Sequence, residues 1–355
     1  MGKAEERGRR EQNKRRALLV LGGLVLLMAW VCLFVGSSHM TVRECLDALL
    51  KKGTPAAVRI VWNIRLPRVI AAVSAGAGLS VAGLIMQTTL NNAMASPSTL
   101  GVSNAAVFGA NLSIIAFAGG FLSTGHNVQN FTLGANPFAA GAMAFAFAAL
   151  SVLLILGLCG LRSFSPGVVV LAGIAVGSVW TAATTILQFY ATDVGLSAAV
   201  IWTFGDLGRA TWQADAVMAG VTILGIGLFA ARSWSYNALL SGRAAAESMG
   251  VAVSRLRFVS LLLASLITAV CVSYLGIIGF VGIICPHVAK RLLGADHRYA
   301  LPGSALCGSL LLLLADTLSR SLGNGSALPV GAITSLLGAP FFLWILFSRK
   351  EGSEC

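Results

Sequence analysis

Charge is what this chain has least of. Asp, Glu, Lys and Arg make up 11% of its 355 residues, against roughly 25% in soluble domains. Hydrophobic residues make up 57%, and the mean hydropathy is +0.84. A soluble fold has too little interior to hide that much apolar surface. Acidic residues are especially scarce, 13 in all. Asp193, Asp206 and Asp215 fall in or beside one connection, and Asp316 lies close to a helix end. An ion-coupled carrier ordinarily keeps an ionisable group deep in its bundle, so a secondary transporter is the alternative rather than the leading reading. The phosphate-cradling GxxxxGK[ST] loop, the zinc-hydrolase HExxH and the GxSxG nucleophile turn are all absent. We therefore expect no catalytic residues, no bound cofactor and no enzyme activity. The seven cysteines include no CxxC pair. Five of them (Cys32, Cys159, Cys271, Cys285 and Cys307) sit in apolar runs, where thiols act as small hydrophobes. Cys45 and Cys355 fall on opposite faces of the expected topology, which excludes a disulfide framework, and no zinc site is indicated.

What is present is a succession of apolar runs about twenty residues long, enough to cross ~30 Å of hydrocarbon. Ten can be counted, at 17–36, 69–90, 101–119, 138–160, 167–190, 213–231, 256–275, 277–293, 301–321 and 328–348. They predict an all-α integral membrane protein, one ten-helix bundle over 17–349, with a basic tail at 1–16 and a short tail at 350–355. The first run and its basic flank have the outline of a signal peptide. That run is too long for a typical signal core and lacks a convincing cleavage site, so it is read as a membrane helix.

Lys and Arg number 25, but their positions point to lipid rather than nucleic acid. With ten passes and a cytoplasmic N-terminus, 17 fall on the inner side and 8 on the outer, the bias that orients membrane proteins. Seven lie in MGKAEERGRREQNKRR, which has no aromatics for base stacking and suits anionic lipid. Small residues recur at four-residue spacing: Ala72, Gly76 and Ser80; Ala140, Ala144 and Ala148; Gly173, Gly177 and Thr181. Such faces let helix backbones approach closely.

The stretch GFVGIICPHVAKRLLGADHR at 279–298 mixes oil, proline, histidine and cations. Pro286 costs a helix hydrogen bond, which is tolerable inside a bundle. Arg291 follows His287 by one turn and neighbours it on one face, and Lys290, Arg291 and Arg298 meet the anionic inner surface. We read the stretch as a structural exit from the membrane, not as a metal site of His287 and His297.

Four pieces of the chain carry a family resemblance: IRLPRVIAAVSAGAGLSVAGLIMQTTLNNAMASPSTLGVSNAAVFG, WTFGDLGRATW, GIIGFVGIICPHVAKRLLGADHRYALPG and LPVGAITSLLGAPFFLWIL. In this order they resemble the FecCD-type permeases, the membrane subunits of ABC importers for ferric siderophores, haem and cobalamin. The resemblance implies a bacterial inner-membrane protein with both termini cytoplasmic. It also implies a homodimer working with two ATPase subunits, which alone bind ATP, and an extracytoplasmic substrate-binding protein. Within SGRAAAESMG, residues Gly242, Ala246, Met249 and Gly250 match the family's ATPase-coupling motif, while Arg243 stands where the family has Glu. The loop NNAMASPSTLGVSN resembles the family's cytoplasmic gate, with Asn92 kept and Met94 at its tip. RSFSPG at 162–167, including Ser165, is the second gate by position. Arg65, Arg68 and Arg320 match arginines that face outward in the family and pair with the binding protein. They belong with Arg43, Lys51, Lys52 and Arg59 among the cations expected to be exposed outside, and Asp316 is placed one turn before Arg320 as its partner. His126, in the polar outer loop STGHNVQNFTLGANP, is placed where it could touch a chelate, the alternative being an ordinary solvated loop histidine.

Overall fold

The computed structural model describes residues 2–36, 40–117, 137–161, 165–322 and 327–348. Among the described residues the chain is helical, in the order α1 (Gly2–Phe34), α2 (Val42–Leu49), α3 (Pro55–Ile60), α4 (Leu66–Thr89), α5 (Val102–Asn111), α6 (Pro137–Leu161), α7 (Pro166–Phe189), α8 (Asp193–Thr203), α9 (Trp212–Ala231), α10 (Ser233–Leu240), α11 (Arg243–Ser248), α12 (Val253–Leu275), α13 (Val281–Leu293), α14 (His297–Leu322) and α15 (Val330–Ser348). Each of the ten predicted apolar segments overlaps a helix in its described part. Among the described residues, seven helices are by themselves long and apolar enough to cross a membrane, and the shorter apolar helices make the count of ten compatible with the structure. A wider π-helical turn at Val61–Arg65 joins α3 to α4, so Pro55–Thr89 runs on as one element.

The bundle is organised around α4, which packs on α9, α12, α13 and α14 and is buried along nearly its whole length. Its sequence explains this. At Gly76 and Gly308 the backbones of α4 and α14 touch, and an added β-carbon on either would overlap the other's carbonyl. One turn on, the Ser80 and Ser304 hydroxyls are 2.7 Å apart, and Ser309 donates to the Val73 carbonyl at 2.8 Å. Lipid supplies no hydrophobic drive between helices, so close packing and such hydrogen bonds must hold them. At Gly83 a β-carbon would run into the Gly282 carbonyl of α13. Gly83→Leu is therefore expected to cost at least ~1–3 kcal/mol and to abolish the monodisperse peak in size-exclusion chromatography. Gly22→Leu, on a part of α1 with nothing within 4 Å, should leave that peak intact.

Three departures from the sequence-based expectations have physical causes. The described part of the tail, 2–16, continues α1 as helix, and Lys14 lies over the Tyr299 ring, 5.2 Å from its centroid, so the extension reaches the start of α14. The eighth apolar segment becomes helix only at Val281. Before it the backbone crosses Gly276 (φ +78) and Phe280 (φ +66), and at Gly276 a β-carbon would lie 2.9 Å from the carbonyls of Trp202 and Phe204. This break is held by the connection after α8: Asp206 N–H donates to Leu275 (2.9 Å), Ile277 N–H to Thr203 (3.3 Å) and Val330 N–H to Gly205 (2.7 Å). Finally, α14 starts at His297 rather than near 301, because Asp296 accepts backbone hydrogen bonds and helix continues straight from the turn.

Candidate functional site

Both ends of the bundle concentrate polar residues, and so does one face. At the end where the N-terminal extension lies, a groove of about 650 Å3 opens between α5, α7 and the 90–101 connection. Asn92, Met94, Gly101, Asn104, Gly177 and Thr181 line it, and none of its lining residues is ionisable. Gly101 begins α5 with φ +69, and an added β-carbon would sit 2.8 Å from Gly177 Cα. Conformation and space both require glycine there. Asn104 Nδ2 donates to the Gly177 carbonyl (3.2 Å) and to Thr181 Oγ1 (3.0 Å), so the small-residue face of α7 both packs and presents hydrogen-bonding groups. The rest of α7 leaves Leu171, Ile174, Val179, Ile186 and Phe189 exposed. In the loop itself Asn92 Oδ1 accepts the Met94 N–H at 2.9 Å, a local turn that holds Met94 at the surface, 52% exposed. Ser165 is not in the groove lining. It caps α7, its hydroxyl accepting Val168 N–H at 3.4 Å. The remainder of the second gate, 162–164, and His126 lie outside the described residues.

The predicted coupling segment forms two short helices, α10 and α11. Positive-φ glycines bracket α11, Gly242 at +99 and Gly250 at +84, with nothing near either one. Ala246 is fully buried and anchors it, while Met249 projects. Arg243, standing where the family has Glu, pairs with Glu247 one turn on at 2.8 Å. Behind these helices lies a buried polar cluster that sequence reasoning did not assemble. His297, wholly buried, has Nδ1 3.0 Å from Asn237 Oδ1 and Nε2 2.9 Å from Thr88 Oγ1. Both ring nitrogens thus have hydrogen-bond partners, which suits the reading of 279–298 as structure. Asp296 sets this cluster's orientation. Burial pushes its carboxyl up, but hydrogen bonds from Arg298 and Asn237 outweigh it and hold the group down at about 2. It therefore stays an ionised acceptor near neutral pH.

At the opposite end the structure corrects the expectation of exposed arginines. Arg65 and Arg68 are 3% and 7% exposed, and the Arg320 side chain 7%. Asp316 binds Arg68 Nε at 2.6 Å and Arg320 Nη2 at 2.8 Å. Arg68 also reaches Asp206 at 3.6 Å. Arg65 donates to the Leu33 carbonyl at 2.7 Å, and Arg320 to that of Val35. The reason is tertiary: the end of α1 presents free carbonyls, and α14 and the 204–210 connection bring up carboxylates. A buried guanidinium needs such partners. Of the predicted outer cations, Arg43, Lys51, Lys52 and Arg59 do remain exposed. Asp215, expected in or beside a connection, lies in the first turn of α9 and is buried there. Nothing in the local sequence marks the burial of Arg65 and Arg68, since their partners come from distant segments.

Long apolar helices and a groove without ionisable side chains suit a membrane permease. The FecCD transport family matches residues 24–348, and the chain belongs to that family. It is 44% identical over 338 residues to a Methanocaldococcus jannaschii protein provisionally named an ABC transporter permease, covering 94% of this chain and 95% of that one. With the hemin transport system permease of Yersinia pestis it shares 35% identity over 343 residues, 94% and 96% of the two chains. Among solved structures, an ABC transporter assigned to the metal-chelate type, in an inward-facing conformation, superimposes with a TM-score of 0.80 at 25% identity, covering 94% and 99%. The chain is thus a multi-pass ABC importer permease of the FecCD type, from a group that transports metal chelates.

Proposed function

We propose that this chain is one half of a homodimeric pathway for a ferric siderophore, haem or cobalamin. The N-terminal end of the bundle would lie in the cytoplasm. The α10–α11 segment, with Gly242, Arg243, Ala246, Met249 and Gly250, would seat on one of two ATPase subunits, which bind the ATP. A substrate-binding protein would deliver cargo at the opposite end. There the exposed Arg43, Lys51, Lys52 and Arg59 suit an acidic partner, while Arg65, Arg68 and Arg320 would serve docking indirectly, by holding the outer ends of α1, α4 and α14 together.

The observation that carries this reading is the groove. It has no ionisable side chain and sets a few hydrogen-bonding groups in a largely apolar lining, and it lies beside an α7 face too exposed and apolar to be left bare except against lipid or a second copy. Two such grooves across a two-fold axis would form a passage that neither binds cargo ionically nor presents it with lipid. Asn92 and Met94 stand at its cytoplasmic mouth as the gate, with Ser165 fixing the start of α7 beside it. The test uses cysteines at positions 92 and 94 in a variant lacking the native seven, assembled with the ATPase. They should cross-link between copies in the closed state. Absence of cross-linking in every nucleotide state, in a variant that still transports, would remove the gate from these residues.

A further inference from the structure

We propose that His297 is a positioning residue that links the ATPase-facing segment to the gate loop, through one unbroken chain of hydrogen bonds. The inference rests on the coupling and gate assignments above and adds the connection between them. On one side of the ring is Asn237 in α10, the helix that leads directly into α11. Asn237 Oδ1 accepts both the His297 backbone N–H (2.8 Å) and Nδ1 (3.0 Å), and its Nδ2 donates to Asp296 Oδ1 (2.8 Å). Three contacts on one amide fix which of its ends is oxygen. Nδ1 must then carry the proton, and in the neutral ring Nε2 is an acceptor.

On the other side, Nε2 faces the Thr88 hydroxyl at 2.9 Å. Thr88 is the second-last residue of α4, and the gate begins at once: Asn91 N–H bonds the Thr88 carbonyl (3.3 Å) and Asn92 N–H that of Gln87 (3.1 Å). Asn91 itself holds φ +45, so the loop leaves α4 by a sharp turn that those two bonds define. The ring is further braced by Tyr236, centroids 5.5 Å apart, whose hydroxyl is 2.7 Å from Ser260 Oγ.

The geometry also contains a two-way choice. Thr88 has a single hydroxyl proton and two acceptors, His297 Nε2 at 2.9 Å and the Leu84 carbonyl at 3.0 Å. Displacing α10 moves Asn237, and with it the ring. If Nε2 recedes, the hydroxyl still has Leu84 to bond, so the link can release without leaving a buried donor unpaired. The cost of release is confined to the buried Nε2 acceptor, because the hydroxyl donor keeps a bond. Packed interiors favour two discrete arrangements over continuous bending, and this shared proton supplies two.

The test compares Thr88→Val, His297→Phe and the double variant, in the full complex with ATPase and binding protein in proteoliposomes. Both substitutions keep shape and remove the link. Each single variant should retain ATP hydrolysis within about twofold while cargo moved per ATP falls about tenfold, and the double should be no worse than either single. A Met94→Cys reporter in a background without native cysteines supplies the second readout. With the link intact, its cross-linking should change with nucleotide; in Thr88→Val that change should disappear. If the nucleotide dependence persists in Thr88→Val and uptake per ATP is unchanged, the link is merely structural and the proposal fails while the gate assignment stands. If the reporter fails to respond even with Thr88 and His297 in place, the gate assignment is wrong and the proposal falls with it. Should His297→Phe not assemble, Thr88→Val decides the matter alone.

Discussion

Gly250→Trp should reach the membrane at normal levels and yet abolish uptake by the assembled transporter. Gly250 closes α11 at φ +84 with no atom within 4 Å of a would-be β-carbon, so a side chain there starts into open space. What it does meet is backbone strain, of order 1–3 kcal/mol for a bulky residue held in such a conformation, and the surface on which an ATPase would seat. Relief of that strain would tilt α11 and lift Met249 from its position, while the bundle, which uses only Ala246 from this helix as a buried anchor, stays assembled. Gly250→Asn separates the two causes, because Asn tolerates positive φ and is small. It should retain a substantial fraction of uptake. Membrane abundance by immunoblot and transport-coupled ATP hydrolysis are the measurements. Normal coupled hydrolysis in the Trp variant would show that this segment does not transmit ATPase motion.

Asp316→Ala is expected to have the largest effect on stability. The carboxylate serves two guanidiniums at once, Arg68 at 2.6 Å and Arg320 at 2.8 Å, and is itself 1% exposed. Removing one member of a buried ionic group leaves the others charged and uncompensated, a loss of about 3–5 kcal/mol. Here two cations are left with only the more distant Asp206 and backbone carbonyls. Removing Arg43, whose side chain is exposed, should by contrast change stability by less than ~1 kcal/mol. Thermal unfolding of the detergent-solubilised protein distinguishes the two. Equal melting temperatures for Asp316→Ala and the parent would mean that the cluster is solvated rather than structural.

Much of this protein was legible because the bilayer constrains sequence so strongly. A segment that crosses hydrocarbon must be about twenty residues long and apolar, and its close contacts must be small. All ten apolar segments and the Gly76 and Ser80 face could therefore be read without any knowledge of neighbours. The glycines of the segment proposed for coupling stand out in the sequence, and the structure gives both a backbone role, positive φ at Gly242 and Gly250. The arginines were misread for an equally physical reason. RLPR at the start of a long apolar run looks like a cation at the membrane surface, since the carboxylate that buries Arg68 lies 248 residues away and leaves no local trace.

Composition, run length and spacing by themselves determined that this chain spans a membrane as a helical bundle, roughly where its long apolar helices lie, and that small-residue faces such as Gly76 and Ser80 approach their neighbours closely. Those properties follow from transfer of each segment into lipid, and each is set almost wholly by the segment's own residues. Only the tertiary structure decided which polar groups are hidden and with whom. It buried Arg65, Arg68 and Arg320 against α1, α14 and the 204–210 connection, and it drew Asn237, His297 and Thr88 into one chain of hydrogen bonds. A polar side chain's environment depends on partners far along the chain, and in a dry interior that partnership outweighs any preference its neighbours in sequence express.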